Sequence, residues 1–344
     1  MDLQGHTPFI SVIIPVFNMA DEIGRCLHSV IGQMADNVEI LVVDDGSTDD
    51  TYKVVREYAN NDSRIHIIQH QNAGVSSARN TGIDAARGYY LLFIDADDEI
   101  EDGYLQNVLH QAKNSGADLL IWGIKRCYPD GRTTEWKPQR VGMYNRTDFL
   151  KAFPSEQYGN HKGLYGFVPN KLVKKKLVDC FGIRFNTALT IMEDYDFFLD
   201  CYVHSSTIFC FGETGYRYQI NNRINTSSIN RVVSYPPLIG VQNKCVDILR
   251  QEDAWTDENK SLLFDAIGRL SLSMFLETTT PVKALVKSNM DFIWESPYCI
   301  PAIEVMDTRW KILKQLILAR NVTGACFFLK IWRSYLFIRK ATVS

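Results

Sequence analysis

The sequence predicts an α/β protein: a doubly wound, mostly parallel sheet flanked by helices, with a helical C-terminal extension. Three observations predict it. Over the first 125 residues, short near-continuous apolar runs alternate with segments of helical spacing. Those runs suit strands buried on both faces. From about residue 230 the helical period takes over.

The elements follow in order. Phe9 to Pro15 (FISVIIP) reads as the first strand, ended by proline. Ile23, Leu27, Val30, Ile31 and Met34 then recur at helical spacing, with Asp21 and Glu22 placed for the first turn. Val38 to Val43 is the second strand, and Asp45-Gly46-Ser47 turns the chain. Ser47 with Asp50 reads as a capping box for a helix through Tyr58. Ile65 to Gln69 is the third strand, and Ser76 or Ser77 is placed to cap a helix reaching about Ala86. Tyr89 to Ile94 is the fourth strand, Gly103 to Ser115 a helix, and Asp118 to Lys125 a fifth strand. Residues 126–228 are mixed and richer in glycine, proline and aromatics. Beyond them, helices are expected at 238–249, 260–276 and 309–340. The expected division is therefore 1–125, 126–228 and 229–344.

Composition narrows the function classes. The 344 residues, 46% hydrophobic and 22% charged, describe an ordered globular chain and not a disordered one. A net charge of −3 excludes a nucleic-acid binder that relies on overall positive charge. The charge is uneven, however. Thr308 to Ser344 holds eight Lys or Arg and no acid, leaving the rest of the chain at −11. The eight cysteines are dispersed, with no CxxC pair and no zinc-ligand spacing, so free buried thiols in a reducing compartment are expected. The start, MDLQGHTPF, does not read as a signal peptide, and no apolar stretch approaches 18 residues. The expectation is a cytoplasmic chain, with the sequons at Asn145, Asn225 and Asn321 carrying little weight.

In a doubly wound sheet, ligands bind beyond the carboxyl ends of the strands. Three strand ends deliver polar or acidic groups there: Pro15-Val16-Phe17-Asn18, Asp44-Asp45-Gly46-Ser47 and Asp95-Ala96-Asp97-Asp98. Two carboxylates at i and i+2, leaving a strand into a turn, can reach one point. Hard divalent cations take oxygen ligands, and Mg²⁺ or Mn²⁺ commonly takes one or two carboxylates plus substrate phosphates. Helix capping alone accounts for Asp98, Glu99 and Glu101. For Asp95 and Asp97, composition leaves capping and metal binding both open. Glu193, Asp194 and Asp196 precede Phe197-Phe198-Leu199, where a helix dipole alone favours acids.

Four segments together resemble family 2 glycosyltransferases: Ser11-Val-Ile-Ile-Pro-Val-Phe-Asn18, Val42-Val-Asp-Asp-Gly-Ser-Thr-Asp49, Asn72-Ala-Gly-Val-Ser-Ser-Ala-Arg-Asn80 and Phe93-Ile-Asp-Ala-Asp-Asp98. Glu193-Asp194 extends the match to about residue 220. The resemblance implies the GT-A fold and transfer of a sugar from a nucleotide diphosphate donor with inversion. It implies that Pro15, Phe17 and Asn18 border the nucleoside, that Asp45 accepts a hydrogen bond from the base, usually uracil, and that Asp44 adjoins it. It places Arg79 near the diphosphate, Asp95 with Ala96 at the ribose or donor sugar, and Asp97 on Mn²⁺ or Mg²⁺. It makes Asp194 the general base, with Glu193 beside it. Asn170 and Lys171 match the segment lining the acceptor pocket. Phe17 stands where tyrosine is common, and Pro169 where many relatives carry an aromatic or small residue. Arg223 in the polar loop after the domain is a further candidate for donor phosphate.

Inversion can proceed by one in-line displacement, for which a carboxylate takes the acceptor proton while a cation stabilises the departing phosphate. The expected reaction moves a sugar from a UDP-sugar to a hydroxyl of a saccharide acceptor, lipid-linked as in bacterial relatives of the family. Leu313, Leu316, Ile317 and the stripe Phe327, Phe328, Ile331, Trp332, Tyr335 and Ile338 make the basic tail amphipathic, which fits peripheral contact with the inner face of the cytoplasmic membrane as well as packing on the body. Other classes fit less well. A haloacid dehalogenase-type phosphatase needs its D-x-D on the first strand, and no G-x-G-x-x-G follows that strand for a dinucleotide. The alternative that stays open is a non-catalytic nucleotide-sugar-binding or scaffold protein on the same fold.

Overall fold

The computed structural model describes residues 7–33, 37–158, 163–220, 234–276, 283–308 and 310–341, with side chains to Trp332. Met34, His161, Arg223 and Asn225 lie outside the described residues, as do the side chains of Tyr335 and Ile338. The chain divides into two compact units, Met1–Arg231 and Val232–Ser344.

In the first unit the expected alternation appears as β1 (Ile10–Val16), α1 (Ile23–Ile31), β2 (Val38–Asp44), α2 (Thr51–Asn61), β3 (Ile65–Gln69), α3 (Val75–Ala85) and β4 (Tyr90–Phe93). Every residue of β1 and β2 is buried, as their unbroken apolar runs require. There follow β5 (Glu99–Ile100), α4 (Tyr104–Ser115), β6 (Leu119–Ile121), β7 (Ile124–Cys127), β8 (Thr133–Trp136), β9 (Gly142–Asn145) and α5 (Arg146–Tyr158). The unit closes with β10 (Lys171–Lys174), α6 (Lys175–Cys180), α7 (Glu193–His204), β11 (Thr207–Cys210) and β12 (Tyr216–Gln219).

An eight-stranded sheet runs β3-β2-β1-β4-β10-β6-β11-β9, and a four-stranded one runs β5-β12-β7-β8. The β1–β4 core is parallel throughout. Beyond β4 the sheet is mixed: β10 is antiparallel to both β4 and β6, and β9 to β11. Because β10 reverses between them, β4 and β6 run the same way and present their carboxyl ends at one rim. The expected fifth strand is two strands in two sheets, broken at Gly123. A Cβ there would meet the Trp136 carbonyl oxygen at 2.6 Å, so only glycine lets the chain cross. The expected line at 125/126 falls inside β7, and β9, β10 and β11, from beyond it, complete the large sheet.

Local caps differ from expectation. Ser47 does not cap α2; its hydroxyl accepts from the Asn18 amide (3.0 Å), and Asp49 accepts from the Thr51 amide (3.0 Å) instead. Gly74, at φ 90°, precedes α3, so neither Ser76 nor Ser77 is its cap. The cysteines are free, and all but Cys180 are buried.

The second unit is helical: Tyr235–Gln251, Asp257–Leu276, Lys283–Glu295, Cys299–Val305, Lys311–Leu318 and Val322–Ala341. The helix expected over 309–340 is thus two helices, separated where Arg320 turns to φ 51° and Asn321 accepts from the Gly324 amide (2.8 Å). Leu313, Ile317 and Leu329 are buried in this unit. Among the described residues no helix is long and apolar enough to cross a membrane.

Candidate functional site

The rim at the carboxyl ends of β1, β2 and β4 is built first by backbone-directed side chains. After β1, Phe17 is exposed and Asn18 adopts φ 51°, an uncommon conformation for a non-glycine residue. The Asn18 side-chain oxygen accepts from the Thr48 amide (2.8 Å), knitting the β1 loop to the β2 loop. Pro15 is buried within β1. At the end of β2, Asp44 accepts from the Ser47 amide (2.9 Å) and Gln69 Nε2 (3.0 Å). Asp45 accepts from the Ala73 and Gly74 amides, each at 2.8 Å, and lies 3.4 Å from His70 Nδ1. Both carboxylates are buried, and both hold loops in place.

The acids after β4 are placed differently. Asp98 is not a helix cap: it is buried and accepts from the Tyr216 hydroxyl (2.6 Å) and the Gln219 amide (2.7 Å), tying β12 to the end of β4. The residue before α4 is Gly103. Burial, then Asp95 and Asp97, push the Asp98 carboxyl well up. Ala96 is buried beneath the turn. Burial and the charge on Asp95 push Asp97 up to about 6. Asp95 and Glu22 both add to that rise and Arg25 opposes it, so Asp97 offers a hard carboxylate oxygen in an acidic setting, which fits a divalent cation. No group of three or more His, Cys, Asp or Glu ligands forms among the described residues. One carboxylate with substrate phosphates and water is the usual Mg²⁺ arrangement, so Asp97 would be the protein's ligand.

The second half of the chain meets this rim at α7. Met192, at φ 65°, turns the chain so that α7 opens on Glu193, Asp194 and Asp196. Arg79 of α3, 4% exposed, reaches Asp194 through Nη1 (2.6 Å) and Asp95 through Nη2 (3.0 Å). Glu193 is 3.8 Å away. The guanidinium lies over Phe185, 5.2 Å from the ring centre. Asp194 keeps 26% side-chain exposure and Asp95 28%, so both still open outward. Burial pushes the Asp194 carboxyl up, with Arg79 opposing and Glu193 and Asp95 adding to the rise.

Asn170 and Lys171 are fully buried. Lys171 Nζ donates to the carbonyls of Leu164 (3.2 Å) and Phe167 and to the Asn170 side chain (2.7 Å). Asn170 Nδ2 donates to the Trp122 carbonyl (2.7 Å). They shape the 164–170 turn from behind, and Gly166 and Phe167 form its half-open side. Burial drives the Lys171 amine well below its usual range, with Asp194 opposing.

Sequence reasoning missed the link from Arg79 to Asp194 and the tie from Asp98 to Tyr216. The first left a signal. Ala78, Arg79, Gly82 and Ile83 share one helical face, and a charge on an inward face demands a partner. The second left none: Asp98 sits among acids that read as a helix start, and Tyr216 lies in a strand of four residues.

Comparison with known proteins gives one family. EpsJ of Bacillus subtilis, a glycosyltransferase, is 30% identical over 216 residues, 62% of each chain. EpsH of the same organism is 33% identical over 189 residues, 52% of this chain and 51% of its own. The chain thus spans from about half to just over three fifths of the length of these curated relatives. Among solved structures, S. aureus TarS 1–349 overlays with a TM-score of 0.66 at 21% identity, covering 94% of this chain and 91% of that one, a likeness of fold. The same TarS piece is known in complex with UDP-GlcNAc, with a TM-score of 0.67 to this chain. The profile described as Glycosyl transferase family 2 matches residues 11–182, half of the sequence and all four of the segments that carry the resemblance through Asp98, and the chain belongs to that family.

Proposed function

We propose that the protein is an inverting glycosyltransferase that moves a sugar from a UDP-sugar to a hydroxyl of a saccharide acceptor by metal-assisted single displacement. One observation carries the reading. Asp194, 115 residues from Arg79 in sequence, stands with Asp95 on the buried Arg79 guanidinium at the strand-end rim. A candidate base therefore faces the place where a donor would sit. TarS, which shares the fold, binds UDP-GlcNAc and UDP, and this supports a uridine diphosphate donor.

In this reading Phe17 offers an apolar wall to the nucleoside, while Asp45 and Asn18 hold the loops that frame it. Asp95 orients the donor sugar. Asp97 would hold Mn²⁺ or Mg²⁺, which when bound supplies positive charge to the departing diphosphate. Asp194 Oδ takes the proton of the acceptor hydroxyl as its oxygen attacks the anomeric carbon on the face opposite the leaving group. A carboxyl held above its ordinary range suits that task, because it binds the proton firmly once the transition state delivers it.

The acceptor is proposed to be lipid-linked and the protein to lie peripherally at the inner face of the cytoplasmic membrane. In support, Phe327 and Ile331, 67% and 55% exposed, stand one turn apart on their helix, and residues 308–344 carry no acid. A Phe327→Ser/Ile331→Ser double variant should pellet less with anionic vesicles than the wild type; equal pelleting removes this contact from the proposal.

The functional test is incubation with Mn²⁺ and a panel of UDP-sugars that includes UDP-GlcNAc. Release of UDP supports the transferase. Saturable UDP binding with no turnover across donors and saccharide acceptors supports the non-catalytic alternative.

A further inference from the structure

The resemblance places Arg79 at the donor diphosphate, but its surroundings are those of a different part. The guanidinium is buried, shares its two Nη groups between Asp194 and Asp95, and has Glu193 within 3.8 Å. Three carboxylates converge on one positive charge. Withdrawing that charge to a phosphate would leave Asp194 and Asp95, each about three-quarters buried, without the cation they contact, which is costly. The plane of the guanidinium is also fixed: it lies on Phe185, and Phe185 stacks on Phe197 at 4.0 Å with 1° between the rings. A planar fork held in this way sets both the spacing and the direction of its two acceptors.

We propose that Arg79 is a positioning residue for the transfer reaction, holding the proposed base Asp194 in register with the donor-sugar carboxylate Asp95, and not a ligand of the diphosphate. The inference rests on the transferase reading above. Asp194 then has one approach to the acceptor hydroxyl, and its second oxygen stays available for the proton. The charged groups facing Asp194 are Arg79 from α3, Asp95 beyond β4, Lys171 of β10 and Glu193 of its own helix. Of the two cations, Arg79 has the larger influence on Asp194 and is the one in contact with it.

The test is Arg79→Lys in the full chain, with UDP affinity measured by calorimetry and turnover measured on the best donor of the panel. Lysine keeps a charge but cannot hold two carboxylates at a fixed span. The expected result is UDP affinity within about threefold of wild type and kcat lower by about 10²-fold, the lower end of what a general base contributes. The acid limb of the kcat profile should move to higher pH, because Asp194 loses the contact that favours its ionised form. If Arg79→Lys fails to fold, Arg79→Ala should regain turnover with added guanidinium ion and not with ammonium.

A tenfold or greater loss of UDP affinity with kcat unchanged would make Arg79 a phosphate ligand and overturn the proposal. So would a lower melting temperature with both kinetic terms intact. A wild-type protein that turns over no donor overturns this inference together with the transferase reading. An active wild type with a variant changed only in affinity overturns this inference alone.

Discussion

Asp44 and Asp45 at the end of β2 and Asp95 and Asp97 at the end of β4 occupy the same rim in different electrostatic settings. Asp44 and Asp45 spend their oxygens on three backbone amides and one glutamine side chain, so their charge is absorbed by the loops they hold. Asp95, Asp97 and Asp98 crowd one another, and their environment penalises ionisation at Asp97 and Asp98. Only Arg79 enters that group as a contacting cation among the described residues, and it is shared with Asp194. In the proposed reading, the acids left short of partners serve the chemistry and those the backbone has already satisfied hold the loops.

The sharpest way to break the comparison is Asp194→Asn. The amide keeps the shape but accepts no proton, so kcat should fall by about 10²–10⁴-fold while UDP affinity stays within about threefold. Steady-state turnover beside calorimetry separates the two. Wild-type turnover in this variant would remove Asp194 from the chemistry.

Next in size is Asp97→Ala. If Asp97 supplies the protein's hold on the cation, donor affinity in Mn²⁺ should drop by about tenfold or more, equivalent to about 1.4 kcal/mol or more. Chelation should weaken the wild type and leave the variant unchanged. A variant whose UDP affinity still rises with Mn²⁺ would show that the cation sits elsewhere.

A smaller effect follows from pH. The Asp194 carboxyl is raised by burial, and a base works only when ionised. Turnover should therefore be lost as pH falls, through a limb lying above the ordinary aspartate value of about 3.9. Donor binding should keep a different profile. A kcat flat down to pH 4 would contradict the assignment.

How much of this was legible in the sequence follows from the range of each interaction. The β1–β4 core was legible because each strand is an apolar run bounded by its own turn residues, and the strand-end motifs follow directly. The acidic start of α7 was legible as an element, since Glu193, Asp194 and Asp196 precede an apolar run. The second sheet was not: β5, β7, β8 and β12 are two to four residues long, too short to show a period. The reversal at β10 was hidden for a related reason, since four residues carry no signal of the direction in which a strand joins its sheet. Asp98 was misread because its partner Tyr216 belongs to one of those short strands. Lys171 is the subtler case. The motif singles it out correctly as a position, but its burial depends on the Leu164 and Phe167 carbonyls, which only the folded turn brings to it.

The smallest expected effect tests the architectural side. Asp45→Ala removes the acceptor of the Ala73 and Gly74 amides and leaves two donors unpaired at the start of α3. Ala73 and Gly74 are exposed, so water meets part of the loss, and the cost lies at or below about 1 kcal/mol for each donor, the low end for an unmet one. The variant should therefore melt slightly lower than the wild type, and Asp45→Asn, which keeps one acceptor oxygen, should lie between the two. Turnover at saturating donor should change far less than in Asp194→Asn, because α3 carries Arg79 and a loosened start would shift the guanidinium only indirectly. If Asp45→Ala instead keeps the wild-type melting temperature but loses UDP affinity, then Asp45 belongs with the unsatisfied acids, and the line drawn between the two strand ends is in the wrong place.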